Sequence, residues 1–265
     1  MLPERKWEAE PLLRFGAGVC FCMAVGALTA GALLPRAAAE TIEGRFFMLV
    51  TNAVVLHGGV LLMTAMFLRA HGIGWREGFG LRAAGLTRSI GLGVLGVLVA
   101  LPIALTLQYL AQRGLTGLHE QLVAHDIKSL NLKPVAQQLV QTLQQTETTE
   151  QRVFFAFLAI VFAPLVEEVL FRGILYPAIK QRGHPQLALW GTSLVFALMH
   201  ANMATFLPLT FLALLLVLLY ERTGNLLAPI VTHSLFNAAN FVGLFYQREL
   251  NEFFRPWMEF FKLPT

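Results

Sequence analysis

Glu167 and Glu168 stand side by side in the apolar run Ala163-Pro164-Leu165-Val166-Glu167-Glu168-Val169-Leu170-Phe171-Arg172-Gly173, with Arg172 four residues after the second. Further on, His200 follows Phe196 by four residues, and Asn237 follows His233 by four. On a helix, residues four apart share a face, so His233 and Asn237 can address one target atom, and Glu168 and Arg172 can form an ion pair with the acid in the favourable N-terminal place. Glu167 lies about 100° round the helix from Glu168. It has no partner in its own segment and must face another helix or a water-filled cavity. An ionised side chain at the centre of a bilayer costs about 2.5–3.5 kcal/mol even on the lenient scale, so these groups need partners or a use.

The chemistry such a set supports is hydrolysis of an acyl bond. A carboxylate withdrawn from bulk water is a strong proton acceptor and a usable general base. A histidine facing it can hold the attacking water, and a histidine with a carboxamide can donate to a developing oxyanion. Glu167, His200 and His233 could instead ligate zinc with an open position. No H-E-x-x-H pairing is present, however, because the carboxylate and the imidazoles come from separate segments. The residue types alone leave both routes open.

The elements that must position these groups are membrane helices. Of 265 residues, 56% are hydrophobic and only 14% charged, where a soluble domain carries about 25% charged residues. Mean hydropathy is +0.61. Seven apolar spans are expected, at about 12–34, 46–68, 89–111, 153–179, 186–199, 206–220 and 226–246. The first is too long for a signal h-region, so Ala37-Ala38-Ala39 is not read as a cleavage site. His57 in the second span is read as a helix-contact residue. Gly91, Gly93 and Gly96 in the third allow close helix approach.

The polar interval 112–151 contains a stretch, Pro134–Gln145, whose Val135, Leu139 and Leu143 suit an interfacial helix. The aromatic tail 247–265 suits the interface as well. Three parts follow: residues 1–150 with about three spans, a core over 151–246 of about four helices, and the tail 247–265. Arg69, Arg76, Arg82 and Arg88 make the 69–89 connector the best cytoplasmic marker, which puts the N-terminus, the 180–185 turn and the Arg222 turn on the same, cytoplasmic side.

The formal net charge of +4 is spread over loops with no basic stripe, so no nucleic-acid partner is expected. Cys20 and Cys22, two apart on a helix, give no disulfide or metal pair. No internal repeat is visible, which counts against repeat-built transporters.

Counting along each helix, Glu167 lies about 18 Å, His200 about 21 Å, His233 about 11 Å and Asn237 about 17 Å from one end. These depths are compatible with a single intramembrane cavity. Glu167-Glu168-x-x-x-Arg172, Phe196-x-x-x-His200 and His233-x-x-x-Asn237, in this order and each in an apolar helix, resemble the signature of the CAAX protease and bacteriocin-processing intramembrane proteases, which include the type II CAAX prenyl endopeptidases. The resemblance covers about 155–240 and extends to Phe171-Arg172-Gly173 and to Thr223-Gly224-Asn225-Leu226 with Pro229.

The resemblance implies an all-α bundle with a recessed site. Glu167 would be the base, His200 its partner on water, His233 and Asn237 the oxyanion site, and Glu168 with Arg172 a structural pair. It admits both a metal-free and a zinc-dependent reading; the metal-free one, with no cofactor, is the expectation here. The substrate would be a membrane-associated protein or peptide, prenylated C-terminal tails included. Two rivals keep the same residues: a catalytically silent scaffold or bacteriocin-immunity-type protein, and a proton-coupled transporter using the carboxyl and imidazoles as a relay.

Overall fold

In hydrocarbon each backbone N–H and C=O must be satisfied inside its own segment, so long apolar runs become helices. The computed structural model describes residues 7–33, 41–82, 85–125, 132, 148–246, 249, 252 and 255, all-helical with no strand among them. The elements are α1 (Ala9–Leu33), α2 (Ile42–Ala70), the single turn α3 (Trp75–Gly78), α4 (Leu86–Ala124), α5 (Thr149–Lys180), α6 (Pro185–Met199), α7 (Met203–Thr223) and α8 (Leu227–Phe245). The expected interfacial helix at 134–145, the residues Ala37-Ala38-Ala39 and the tail 247–265, apart from three isolated positions, lie outside the described residues.

Six of these helices are long and apolar enough to cross a membrane. The seventh expected span, α6, has 15 residues, short of the ~20 that a crossing needs, and it stops at His200. The third span is longer than expected. α4 has 39 residues, about 58 Å, so its polar end beyond Ala111 extends past a hydrocarbon layer of ~30 Å. The Gln, Leu and Glu of 112–124 are good helix formers, and they let the helix continue where hydropathy falls.

α5 stands between two groups. The α1–α2 hairpin packs on one side of it, and α8, with α4 and α7 behind, packs on the other; α6 lies against α5 and α7. The α4–α8 contact depends on small residues at Gly93 and Gly96, whereas Gly91, expected to share this role, has open space beside it. A Cβ on Gly93 would press on Val231 and the Ala228 carbonyl, and one on Gly96 on Thr232 and Leu219. Thr232 Oγ1 donates to the Gly93 carbonyl at 2.8 Å across this contact.

One end of the bundle is tied together by polar contacts. Trp7 N–H donates to Gln181 Oε1 (3.2 Å), Leu226 N–H to the Phe79 carbonyl (3.0 Å), and Tyr176 OH and Lys180 Nζ to Glu221 (2.7 and 2.5 Å). The residues around Trp7, Phe79, Gln181 and Glu221–Leu226 therefore share one end of the bundle. Phe79, fully buried, sits against Gly173 of α5, where a Cβ would overlap its ring. Beside it Gly80 has φ +66, and a Cβ there would run into the Gly224 carbonyl oxygen.

Candidate active site

Two prolines shape α5. Proline has no N–H and its ring crowds the carbonyl four residues back, and a wider π turn is one way a helix absorbs such a defect. π turns occupy Leu158–Phe162, just before Pro164, and Val169–Leu175, just before Pro177. Between them the α-helical piece Ala163–Glu168 carries both glutamates. In the first π turn Ala163 N–H donates to the Leu158 carbonyl, five residues back. In that register the next carbonyl, Ala159, meets Pro164, which has no hydrogen to give. Asn237 supplies it: its Nδ2 donates to Ala159 O at 2.8 Å. A carboxamide carries two N–H donors, so this bond uses one of the two.

Glu168 is completely buried and its Oε1 accepts two bonds, from Arg172 Nη1 and from His233 Nδ1, both at 2.9 Å. Arg172 also donates through Nη2 to the Ala213 carbonyl of α7 at 3.1 Å, and its guanidinium lies 4.6 Å from the centre of the Phe196 ring. The pair that the four-residue spacing suggests is thus formed, and it clamps α5 to α7 and α8. A carboxylate paired to arginine can only accept, so the Nδ1 of His233 carries a hydrogen. That leaves His233 Nε2 turned to Glu167, 3.8 Å from Oε2, too long for a direct hydrogen bond.

Glu167 Oε2 is buried with no hydrogen-bond partner among the described residues, while its side chain keeps 25% exposure. That exposure opens onto a cavity of about 190 Å³, bordered by Glu167, His200, Phe196 and Met199, and by Val19, Met23, Leu56, His57 and Val60 of the α1–α2 hairpin. His200 caps α6, and its Nδ1 is 2.8 Å from the Phe196 carbonyl. A carbonyl only accepts, so the hydrogen sits on Nδ1 and the lone pair on Nε2. The next residue, Ala201, has φ +48, the only non-glycine left-handed residue among those described. It forms the tight turn that ends α6 at His200, and Asn202 then caps α7 by accepting from Ala204 and Thr205 N–H.

The structure thus brings Glu167, Glu168, Arg172 and His233 into one cluster and places His200 on the cavity that Glu167 faces. Asn237 joins the same face of α5 through Ala159, without itself lining the cavity. Two residues take roles that the sequence reading does not assign: Phe196, named there only as part of a motif, and His57. Phe196 touches the site on three sides, with its ring centre 4.9 Å from that of His200, 5.6 Å from that of His233 and 5.3 Å from that of Phe171. His57, read as a helix-contact residue, lines the cavity; being polar inside an apolar span was its one signal. Among the described residues no three His, Cys, Asp or Glu side chains are arranged to hold a metal ion. Glu167, His200 and His233 are not grouped as a ligand set in this arrangement, and no step below runs through a metal.

One carboxylate, Glu167, and two imidazoles, His57 and His200, line a cavity within a bundle of helices long and apolar enough to cross a membrane, and the buried Glu168–Arg172–His233 cluster lies behind it. Residues 149–239, about a third of the chain, match the family described as Type II CAAX prenyl endopeptidase Rce1-like. The uncharacterized protein YpbD of Bacillus subtilis (strain 168) is 37% identical over 90 residues, which make up 32% of this chain and 42% of that protein. The match thus spans less than half of the relative's length. No solved structure matches the chain.

Proposed function

We propose that this protein is an intramembrane endopeptidase that hydrolyses a peptide bond of a membrane-associated protein or peptide. The observation that carries the proposal is Glu167: its buried Oε2 has no hydrogen-bond partner among the described residues and faces His233, and its side chain lines a cavity shared with His200. A carboxylate oxygen left unpaired at depth is costly unless something supplies its hydrogen. In the reaction proposed here that hydrogen comes from the water that is consumed.

In the proposed reaction Glu167 takes a proton from a water that His200 Nε2 also holds, and the water oxygen attacks the scissile carbonyl. The carbonyl oxygen becomes an oxyanion and is met by the free N–H of Asn237 and by protonated His233 Nε2, the latter supported by Glu168 behind it. Glu167 then hands its proton to the departing amine. Glu168 and Arg172 position His233 and touch no reacting atom. The family match supports the peptidase class, and substrate choice is left to residues outside it.

The test is cleavage of a panel of quenched apolar peptides by detergent-purified protein, with and without chelator. Glu167→Gln should abolish cleavage, by at least about 10²-fold as expected for a lost general base, while the variant unfolds at the wild-type denaturant concentration. Equal activity in wild type and Glu167→Gln would refute the base and favour the silent scaffold or immunity-type reading. Loss of activity with chelator, restored by zinc, would overturn the metal-free mechanism.

A further inference from the structure

The cavity has two walls of different origin. Glu167 and His200 come from the family-matched segment, whereas Val19, Met23, Leu56, His57 and Val60 come from α1 and α2, outside it. That second wall is apolar except for His57. Its Nδ1 lies 2.7 Å from the Ala53 carbonyl one turn back, so Nδ1 carries the hydrogen and Nε2 the lone pair. The ring is held further by Phe162, with centres 5.5 Å apart. His57, which lines the cavity, therefore has a ring held in place with Nε2 as its one available acceptor.

A peptide bond can be attacked only where the substrate is extended, since a helix hides its carbonyls from a nucleophile. An extended stretch inside the membrane exposes backbone N–H groups that no longer have partners, and each such group costs several kcal/mol if left unmet. In the proposed reaction Glu167 and His200 are committed to water. At about 190 Å³ the cavity is smaller than the ~300–1,000 Å³ of small-molecule sites, and it suits one apolar side chain with its adjoining backbone.

We infer that His57 is a substrate-binding residue: its Nε2 accepts a backbone N–H of the extended peptide beside the scissile bond, while Val19, Met23, Leu56 and Val60 take an apolar side chain of the same stretch. The inference rests on the hydrolase reading and assigns substrate selection to the α1–α2 hairpin. A bond made equally in the bound and transition states changes KM and leaves kcat alone.

The experiment uses purified full-length protein and one cleavable apolar peptide, together with a series in which each non-scissile amide N–H near the cleavage point is replaced by an ester oxygen. His57→Leu should raise KM about ten-fold, the worth of one hydrogen bond, with kcat little changed, and His57→Gln, which keeps an acceptor, should restore most of the loss. One ester position should cost wild type about ten-fold and cost His57→Leu nothing. Wild-type kinetics in His57→Leu, or the same ester penalties in both proteins at every position, overturns the assignment while the hydrolase reading stands. If His57→Leu unfolds early, the ester series on His57→Gln decides: the sensitive position must keep its penalty there. A wild-type protein that cleaves none of the amide peptides refutes the hydrolase reading, and this assignment with it.

Discussion

Replacing Glu168 by alanine tests the cluster most directly, because the two glutamates are neighbours in sequence and opposites in environment. Glu168 is fully buried and receives two hydrogen bonds; Glu167 is a quarter exposed and receives none on its buried oxygen. Glu168→Ala leaves Arg172 Nη1 and His233 Nδ1 without their acceptor, and the guanidinium keeps only the Ala213 carbonyl and the Phe196 face. Arg172 is 1% exposed, so water cannot replace what is lost. Removing one partner of a buried pair costs about 3–5 kcal/mol.

Glu167→Ala removes an unpartnered group and should cost less than about 1 kcal/mol, as is usual away from such networks. Unfolding by SDS in mixed micelles, followed by circular dichroism, gives both differences. The double variant Glu168→Ala/Arg172→Met, which removes the orphaned cation as well, should recover at least about 2 kcal/mol of the single loss. His233 still lacks its acceptor, so recovery should be incomplete. Equal destabilisation by the two alanine variants, or a double variant whose loss is the sum of its parts, would refute the account of Glu168 as the buried anchor.

Three further outcomes follow from local geometry. Asn237→Leu should cost about 1–3 kcal/mol by leaving the Ala159 carbonyl unpaired, and less in a Pro164→Ala background, where the backbone regains its own donor; cleavage should stay impaired in both, which a cycle of stability and rate measurements checks. Gly80→Ala should destabilise by about 2–4 kcal/mol, from left-handed backbone and collision with Gly224, seen as a lower denaturation midpoint. Ala201→Gly should stabilise by up to about 1 kcal/mol, because glycine adopts φ +48 without strain, with cleavage retained if the turn still ends α6 at His200.

The helices, and the pairing within each, were legible from spacing. Long apolar runs have no alternative to the helix in hydrocarbon, and a four-residue interval brings Glu168 to Arg172 whatever surrounds them. The same interval places His233 and Asn237 on one face. What each face meets could not be read, since that depends on how helices distant in sequence are rotated against one another. Here the rotation is set by π turns ahead of Pro164 and Pro177, which change the phase of α5 partway along its length.

Only the tertiary structure decided that His233 gives its Nδ1 hydrogen to Glu168, that Asn237 meets the carbonyl left bare by Pro164, and that His200 borders the cavity Glu167 lines. The same holds for His57. Periodicity marks it as one polar residue in an apolar span, and the packing of the α1–α2 hairpin against α5 makes it part of the cavity wall. Intrahelical neighbours are fixed by the backbone repeat, and interhelical ones by side-chain fit over the whole bundle, which no single segment encodes.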